Sequence, residues 1–66
     1  MSLRILRESQ GLTQADLARR IAVSRAYVGQ VEVGLRVPPQ AIVVRLAHAL
    51  SVDPAELAEA LPTPRD

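Results

Sequence analysis

Residues 13–34, TQADLARRIAVSRAYVGQVEVG, decide the fold, because they read as two short helices joined by a tight turn. Thr13 and Ser24 each stand where a helix begins, and their side-chain oxygens suit backbone N–H groups that a first helical turn leaves unpaired. Asp16 sits three residues after Thr13, the acidic form of a capping box at the positive pole of the helix dipole. Leu17, Ala18 and Ile21 fall on one face of the first helix, and Val28 and Val31 on one face of the second. If the two apolar faces share a core, Arg25, Ala26, Gly29, Gln30 and Val33 form an outward ridge, the expected working surface. Ala22, Val23 and Ser24 make the turn, where glycine is the usual residue if one position takes a positive φ. Either this turn differs slightly from that form or Ala22 carries a modest strain. Gly29 costs the second helix about 1 kcal/mol relative to alanine. It fits either the close approach of another molecule's backbone or simple tolerance.

On the N-terminal side, Ser2 can cap a first helix in which Leu3 and Leu6 share a face, with Gly11 closing it in a left-handed conformation. Ile5 falls off that stripe and is expected at the surface. Arg7 lies one turn after Leu3 at the edge of the core, where its charge wants a carboxylate. On the C-terminal side, Gly34 ends the second helix of the pair, and Pro38-Pro39 force an extended approach to the next. Val43, Leu46, Ala47 and Leu50 recur at i, i+3, i+4 and i+7, so this helix is the expected pillar of the core. Ile42 and Val44 widen its apolar surface toward the core or a partner. Asp53-Pro54-Ala55-Glu56 opens a last helix with Asp53 as cap and Glu56 reaching back. Leu57 and Leu61 lie one turn apart on it, and the prolines at 62 and 64 stop it. The expectation is an all-α domain of five short helices over residues 1–61, followed by a frayed tail over 62–66.

A 66-residue chain buries only about 60% of the surface its unfolded form exposes. Tyr27 is the sole aromatic residue and cysteine is absent, so the core is aliphatic, with no disulfide or thiolate metal site. Pairing with a second copy would offset so small a core. No apolar run approaches the roughly 20 residues that span a bilayer, and the N-terminus lacks the apolar centre of a secretory signal. A cytoplasmic protein is expected. The net charge of +1 hides an asymmetry: residues 1–50 hold seven arginines against Glu8, Asp16 and Glu32, whereas residues 51–66 hold Arg65 against four acids. A basic first part meeting a polyanion, with an acidic end turned away, fits that division, and so does chance scatter in so small a sample. Arg19 and Arg20 suit the negative pole of their helix and read most simply as a solvated face.

The fragments Leu12-Thr13-Gln14-Ala15-Asp16-Leu17-Ala18, Val23-Ser24, Glu32-x-Gly34, Arg36-x-Pro38 and Leu46-Ala47-x-Ala49-Leu50-x-Val52 together resemble the phage-repressor (Cro/XRE) class of helix-turn-helix DNA-binding domains. The resemblance covers about residues 3–61, and the order and spacing of the fragments give it specificity. It implies the five-helix lambda-repressor-like fold, with the third helix, about residues 24–33, in the major groove and the second across the sugar-phosphate backbone. By the same resemblance Arg25, Ala26 and Gln30 occupy base-reading positions. Gln14, Ser24 and Arg36 occupy backbone-contacting ones, and Arg7 and Glu32 match a structural ion pair. Residue chemistry agrees: arginine can donate twice to guanine, glutamine can pair with adenine, and a methyl group can touch that of thymine. Ala22 in the turn, Gln40 in place of a core leucine, a short first helix and apolar Val33 depart from the family pattern.

The function expected is therefore a sequence-specific transcriptional regulator, a repressor, acting on double-stranded DNA as a homodimer on a two-fold operator. Ile42, Val44, Leu57 and Leu61 are the candidate dimer contacts, with Leu57 the best fitted of the four to the core. The alternative is an antitoxin or other protein-interaction module on the same fold, to which the exposed aliphatic residues point. Enzymatic function is not expected: His48 stands alone with no acid or cysteine beside it, Ser24 has no neighbouring base, and no phosphate-binding loop occurs. No cofactor and no metal are implied.

Overall fold

A computed structural model describes residues 2–62; the expected tail therefore lies outside the described residues apart from Pro62. Five helices follow one another, α1 (Leu3–Ser9), α2 (Gln14–Ile21), α3 (Arg25–Glu32), α4 (Gln40–Leu50) and α5 (Pro54–Ala60), and no strand occurs among the described residues. The expected all-α, five-helix architecture is the one observed.

Local chemistry starts four of the helices. Ser2, Thr13, Ser24 and Asp53 each accept a hydrogen bond from a backbone N–H of the turn they open. At α2 the box is complete: Asp16 N–H donates to Thr13 Oγ1 at 3.0 Å and Thr13 N–H donates to Asp16 Oδ2 at 2.9 Å. The bonds from Thr13 hold the Asp16 carboxyl below the usual carboxylate range, so this stabilisation is present at neutral pH and lost as pH falls through that lowered pKa. At α5, Ala55 N–H donates to Asp53 at 2.8 Å, but the return bond expected from Glu56 is not made and that side chain is exposed. Pro39 opens α4 with no side-chain cap, and Gln40, the residue expected to be out of place in a core, is simply exposed at the first turn.

The first four helices end alike. Leu12, Val23, Leu35 and Val52 donate their N–H groups back to the carbonyls of Arg7, Ala18, Gln30 and Ala47, each five residues earlier, at 2.9 to 3.2 Å. Such a closure requires a left-handed residue just before the donor. Gly11 and Gly34 fill that place in two cases; Ala22 (φ 60°) and Ser51 (φ 56°) fill it in the others. Of the two alternatives for the turn before α3, the strained alanine is the one found. Because Ala22 and Ser51 are exposed, replacing either by glycine removes a steric conflict without loss of packing. Ala22→Gly and Ser51→Gly are each expected to stabilise the domain by about 1 kcal/mol, read as a rise in the midpoint of urea unfolding.

The core joins Leu3 of α1, Leu17, Ala18 and Ile21 of α2, Val28 and Val31 of α3, Val43, Leu46, Ala47 and Leu50 of α4, and Leu57 of α5. Helix α2 packs on both α3 and α4, and α5 packs on α4. Arginines and a glutamine serve the exposed carbonyl ends of this scaffold: Gln10 donates to Leu50 O at 2.6 Å, Arg20 to Ala49 O and Arg45 to Ile21 O. Leu57 is fully buried, which removes it from the candidate dimer contacts: α5 turns that side chain into the seam with α4. Ile42 and Leu61 lie half-buried against the core, while Val44 is exposed. Ile5 is exposed, as its place off the α1 stripe requires.

Candidate nucleic-acid interface

Caps at Thr13 and Ser24 set the starts of α2 and α3, and the Ala22 turn sets the angle between them. Together they bring Gln14, the first residue of α2, over α3 within reach of Arg25, Gly29 and Glu32. The Gln14 amide lies against Gly29, where an added Cβ would stand 3.6 Å from Nε2 and 3.7 Å from Oε1. The space outside Gly29 is thus filled by the chain's own glutamine, not kept for another molecule. Those distances are ordinary van der Waals contact, so Gly29→Ala is expected to raise stability by about 1 kcal/mol through helix propensity. Thermal unfolding followed by circular dichroism measures it.

Beneath Gln14 is a buried pair of opposite charges, Arg7 and Glu32. Arg7 donates from Nε to Glu32 Oε2 at 2.7 Å, from Nη2 to Glu32 Oε1 at 3.3 Å and from Nη1 to Leu12 O at 2.8 Å. The two side chains are 9% and 5% exposed, so this pair is a fixed part of the structure and not a surface contact. Its hydrogen bond to Glu32 pushes the Arg7 pKa up against the opposing effect of burial. Glu32 Oε1 also accepts from Gln14 Nε2 at 3.0 Å, and Gln14 Oε1 accepts from Arg25 Nη1 at 3.2 Å. A continuous line of hydrogen bonds therefore runs from the core edge outward to the first residue of α3. A carboxylate only accepts and a guanidinium only donates, so the orientation of the Gln14 amide between them is settled.

Arg25, Ala26 and Ser24 are exposed, and Gln30 is half-buried. The Ser24 oxygen accepts from the Tyr27 N–H at 3.1 Å, and its hydroxyl makes no donated bond among the described residues. Beyond the helix, Arg36 turns back: its Nε donates to Gln30 Oε1 at 2.9 Å and its guanidinium carbon stands 5.3 Å from the centre of the Tyr27 ring. The structure thus gathers Gln14, Ser24, Arg25, Ala26, Gln30 and Arg36 on one side of the molecule, around α3. Among the described residues Arg25 meets no carboxylate. Tyr27 is the residue the sequence reading passed over; an aromatic ring followed nine positions later by arginine is the signal, but only the fold shows that the two meet. Arg19 pairs with Asp16 at the surface, in keeping with a solvated face. Among the described residues no group of three metal-ligating side chains forms, and no helix is long and apolar enough to cross a membrane.

A helix held by its partner at one end, closed to the core on one face and lined with small and polar groups on the other, defines a helix-turn-helix unit. The helix-turn-helix domain family matches residues 2–60 of this chain. YazB of Bacillus subtilis (strain 168), described as an uncharacterised helix-turn-helix-type transcriptional regulator, is 34% identical over 56 residues, which are 85% of this chain and 81% of that protein. Among solved structures, the restriction-modification controller protein C.AhdI of Aeromonas hydrophila is 44% identical, with a TM-score of 0.80 over 83% of each chain. The hypothetical transcription factor NHTF from Neisseria is 32% identical with a TM-score of 0.80, over 91% of this chain and 65% of that one. The chain belongs to the helix-turn-helix family and is a transcriptional regulator of the XRE type.

Proposed function

We propose that this regulator binds double-stranded DNA as a homodimer, laying α3 of each copy in the major groove of one half of a two-fold operator. In this reading Arg25, Ala26 and Gln30 read base edges, while Gln14, Ser24 and Arg36 meet the sugar-phosphate backbone. One observation carries it: Arg25, at the start of α3, is exposed and braced by Gln14, with no acid paired to it among the described residues. An arginine so placed is a pre-oriented donor, the group best suited to guanine O6 and N7. The likeness to a restriction-modification controller favours control of gene expression, and an occupied operator that excludes polymerase gives repression.

A net charge of +1 supplies little long-range attraction, so one copy holds DNA weakly and a second copy provides the second half-site. Val44, with the half-buried Ile42 and Leu61, supplies apolar surface for that pairing. Exposed Val33, Leu35 and Val37 support a second reading, a module whose partner is a protein, as in an antitoxin. Selection from random duplexes separates the two. Enrichment of a two-fold motif, with a binding constant that falls as salt rises, supports the DNA reading. Failure to enrich any motif, together with stoichiometric co-purification of a protein partner, overturns it.

A further inference from the structure

The contact between Arg36 and Gln30 decides which atoms Gln30 can offer to a base, and so bears on which bases the domain selects. We propose that Arg36 is a positioning residue that fixes the Gln30 carboxamide with its NH2 group outward. Gln30 then favours a keto base, guanine or thymine, over adenine. This inference rests on the reading that α3 faces the major groove.

Arg36 Nε donates to Gln30 Oε1 at 2.9 Å. Because a guanidinium carries no acceptor, the atom it meets is the carbonyl oxygen, and the amide cannot be turned over without breaking that bond. Arg36 is itself held. Its guanidinium stands over Tyr27, whose ring packs against the core, and the chain is brought back to α3 by the left-handed Gly34 and the bond from Leu35 N–H to Gln30 O at 2.9 Å. The amide is thereby fixed from the side of the loop.

Glutamine pairs with adenine by donating to N7 and accepting from the N6 amino group, which needs both ends of the amide. In this domain one lone pair of the accepting end is taken by Arg36, which holds that oxygen toward the loop, and the donating end makes no bond among the described residues. Guanine presents O6 and N7, and thymine presents O4, all acceptors. Adenine offers the Gln30 N–H groups only N7, beside an amino donor at N6, and cytosine offers only an amino donor. Arg25 is a donor as well, so both long polar side chains of α3 ask for acceptors. The Nη atoms of Arg36 make no hydrogen bond among the described residues and are available to a phosphate. Loss of that phosphate contact would weaken binding to every sequence alike. Only the positioning role predicts a change in base preference.

The test is selection from random duplexes with the full chain and its Gln30→Ala, Arg36→Met and Gln30→Glu variants, each checked for folding by circular dichroism. The position assigned to Gln30 is the one whose preference Gln30→Ala abolishes. There the unaltered protein is expected to favour a keto base over adenine by about tenfold. Arg36→Met, which keeps bulk over Tyr27 but cannot donate, is expected to bring guanine, thymine and adenine to within about twofold at that position and leave the rest of the motif unchanged. Gln30→Glu, which has no donor, should shift the same position to cytosine. Adenine preferred by the unaltered protein, an unchanged preference in Arg36→Met, or no position lost in Gln30→Ala overturns the proposal while leaving the DNA reading intact. Absence of any enriched motif from the unaltered protein defeats the DNA reading itself, and this proposal with it.

Discussion

Glu32→Ala is expected to destabilise the domain by about 3–5 kcal/mol, because it leaves the Arg7 guanidinium buried without its carboxylate. The same change also strips Gln14 of its acceptor. A chain of this size has a total stability of roughly 3–10 kcal/mol, so this one change removes a large share of it. Arg7→Met should cost a comparable amount, since Glu32 then keeps only the Gln14 amide in a site that is 5% exposed. A double variant, Arg7→Met with Glu32→Leu, removes both charges and is expected to recover much of the loss, because packed apolar side chains replace a buried pair at little cost. Urea unfolding of these proteins together with the Glu32→Leu single variant closes the cycle and gives the coupling between the residues. A loss below about 1 kcal/mol for Glu32→Ala, the value for an exposed pair, would show that the site does not act as a buried one.

The second large effect concerns recognition. Arg25→Ala removes a side chain that is exposed and bonded only to Gln14, so unfolding stability should change by no more than about 0.5 kcal/mol. If Arg25 donates twice to a guanine, its loss costs about 1–3 kcal/mol of discrimination, equivalent to roughly 5- to 150-fold in the ratio of operator to random-sequence affinity. Competition titrations at one fixed salt concentration measure that ratio, since affinities at different salt concentrations do not compare. A variant that folds normally and keeps the ratio would remove Arg25 from the reading surface.

These two predictions draw on features that were unequally legible in the sequence. Helix starts were legible because caps are local: Thr13, Ser24 and Asp53 act on N–H groups within three residues of themselves. The stripe of α4 was legible because a period of 3.6 residues is written in the order of the chain. The partner of Arg7 was sought on physical grounds and named through the family resemblance, and it lies 25 residues away. The links from Gln14 to Glu32 and from Arg36 to Gln30 escaped, because they depend on how α2 and the loop after α3 fold back on α3. Gly29 was open to two readings for the same reason, since the glutamine that covers it comes from another helix. Leu57 was legible as the candidate best fitted to the core, but that Leu61, one turn on, stays half-buried follows only from the seat of α5 on α4. Ser51 gave no glycine to mark a left-handed residue. Apolar Val52, which donates to Ala47 O and packs against the core, was the available sign.

The central claim is that the exposed side of α3, with the start of α2 and the loop carrying Arg36, is the surface that meets DNA. Amide and side-chain chemical shifts of the full chain, followed during titration with a selected operator duplex, test it most directly. The expected result is that the largest changes fall on Gln14, Ser24, Arg25, Ala26, Gln30 and Arg36, with the exposed faces of α1 and α5 almost unmoved. Changes centred on α5 or on the outer face of α4, with α3 silent, would contradict it.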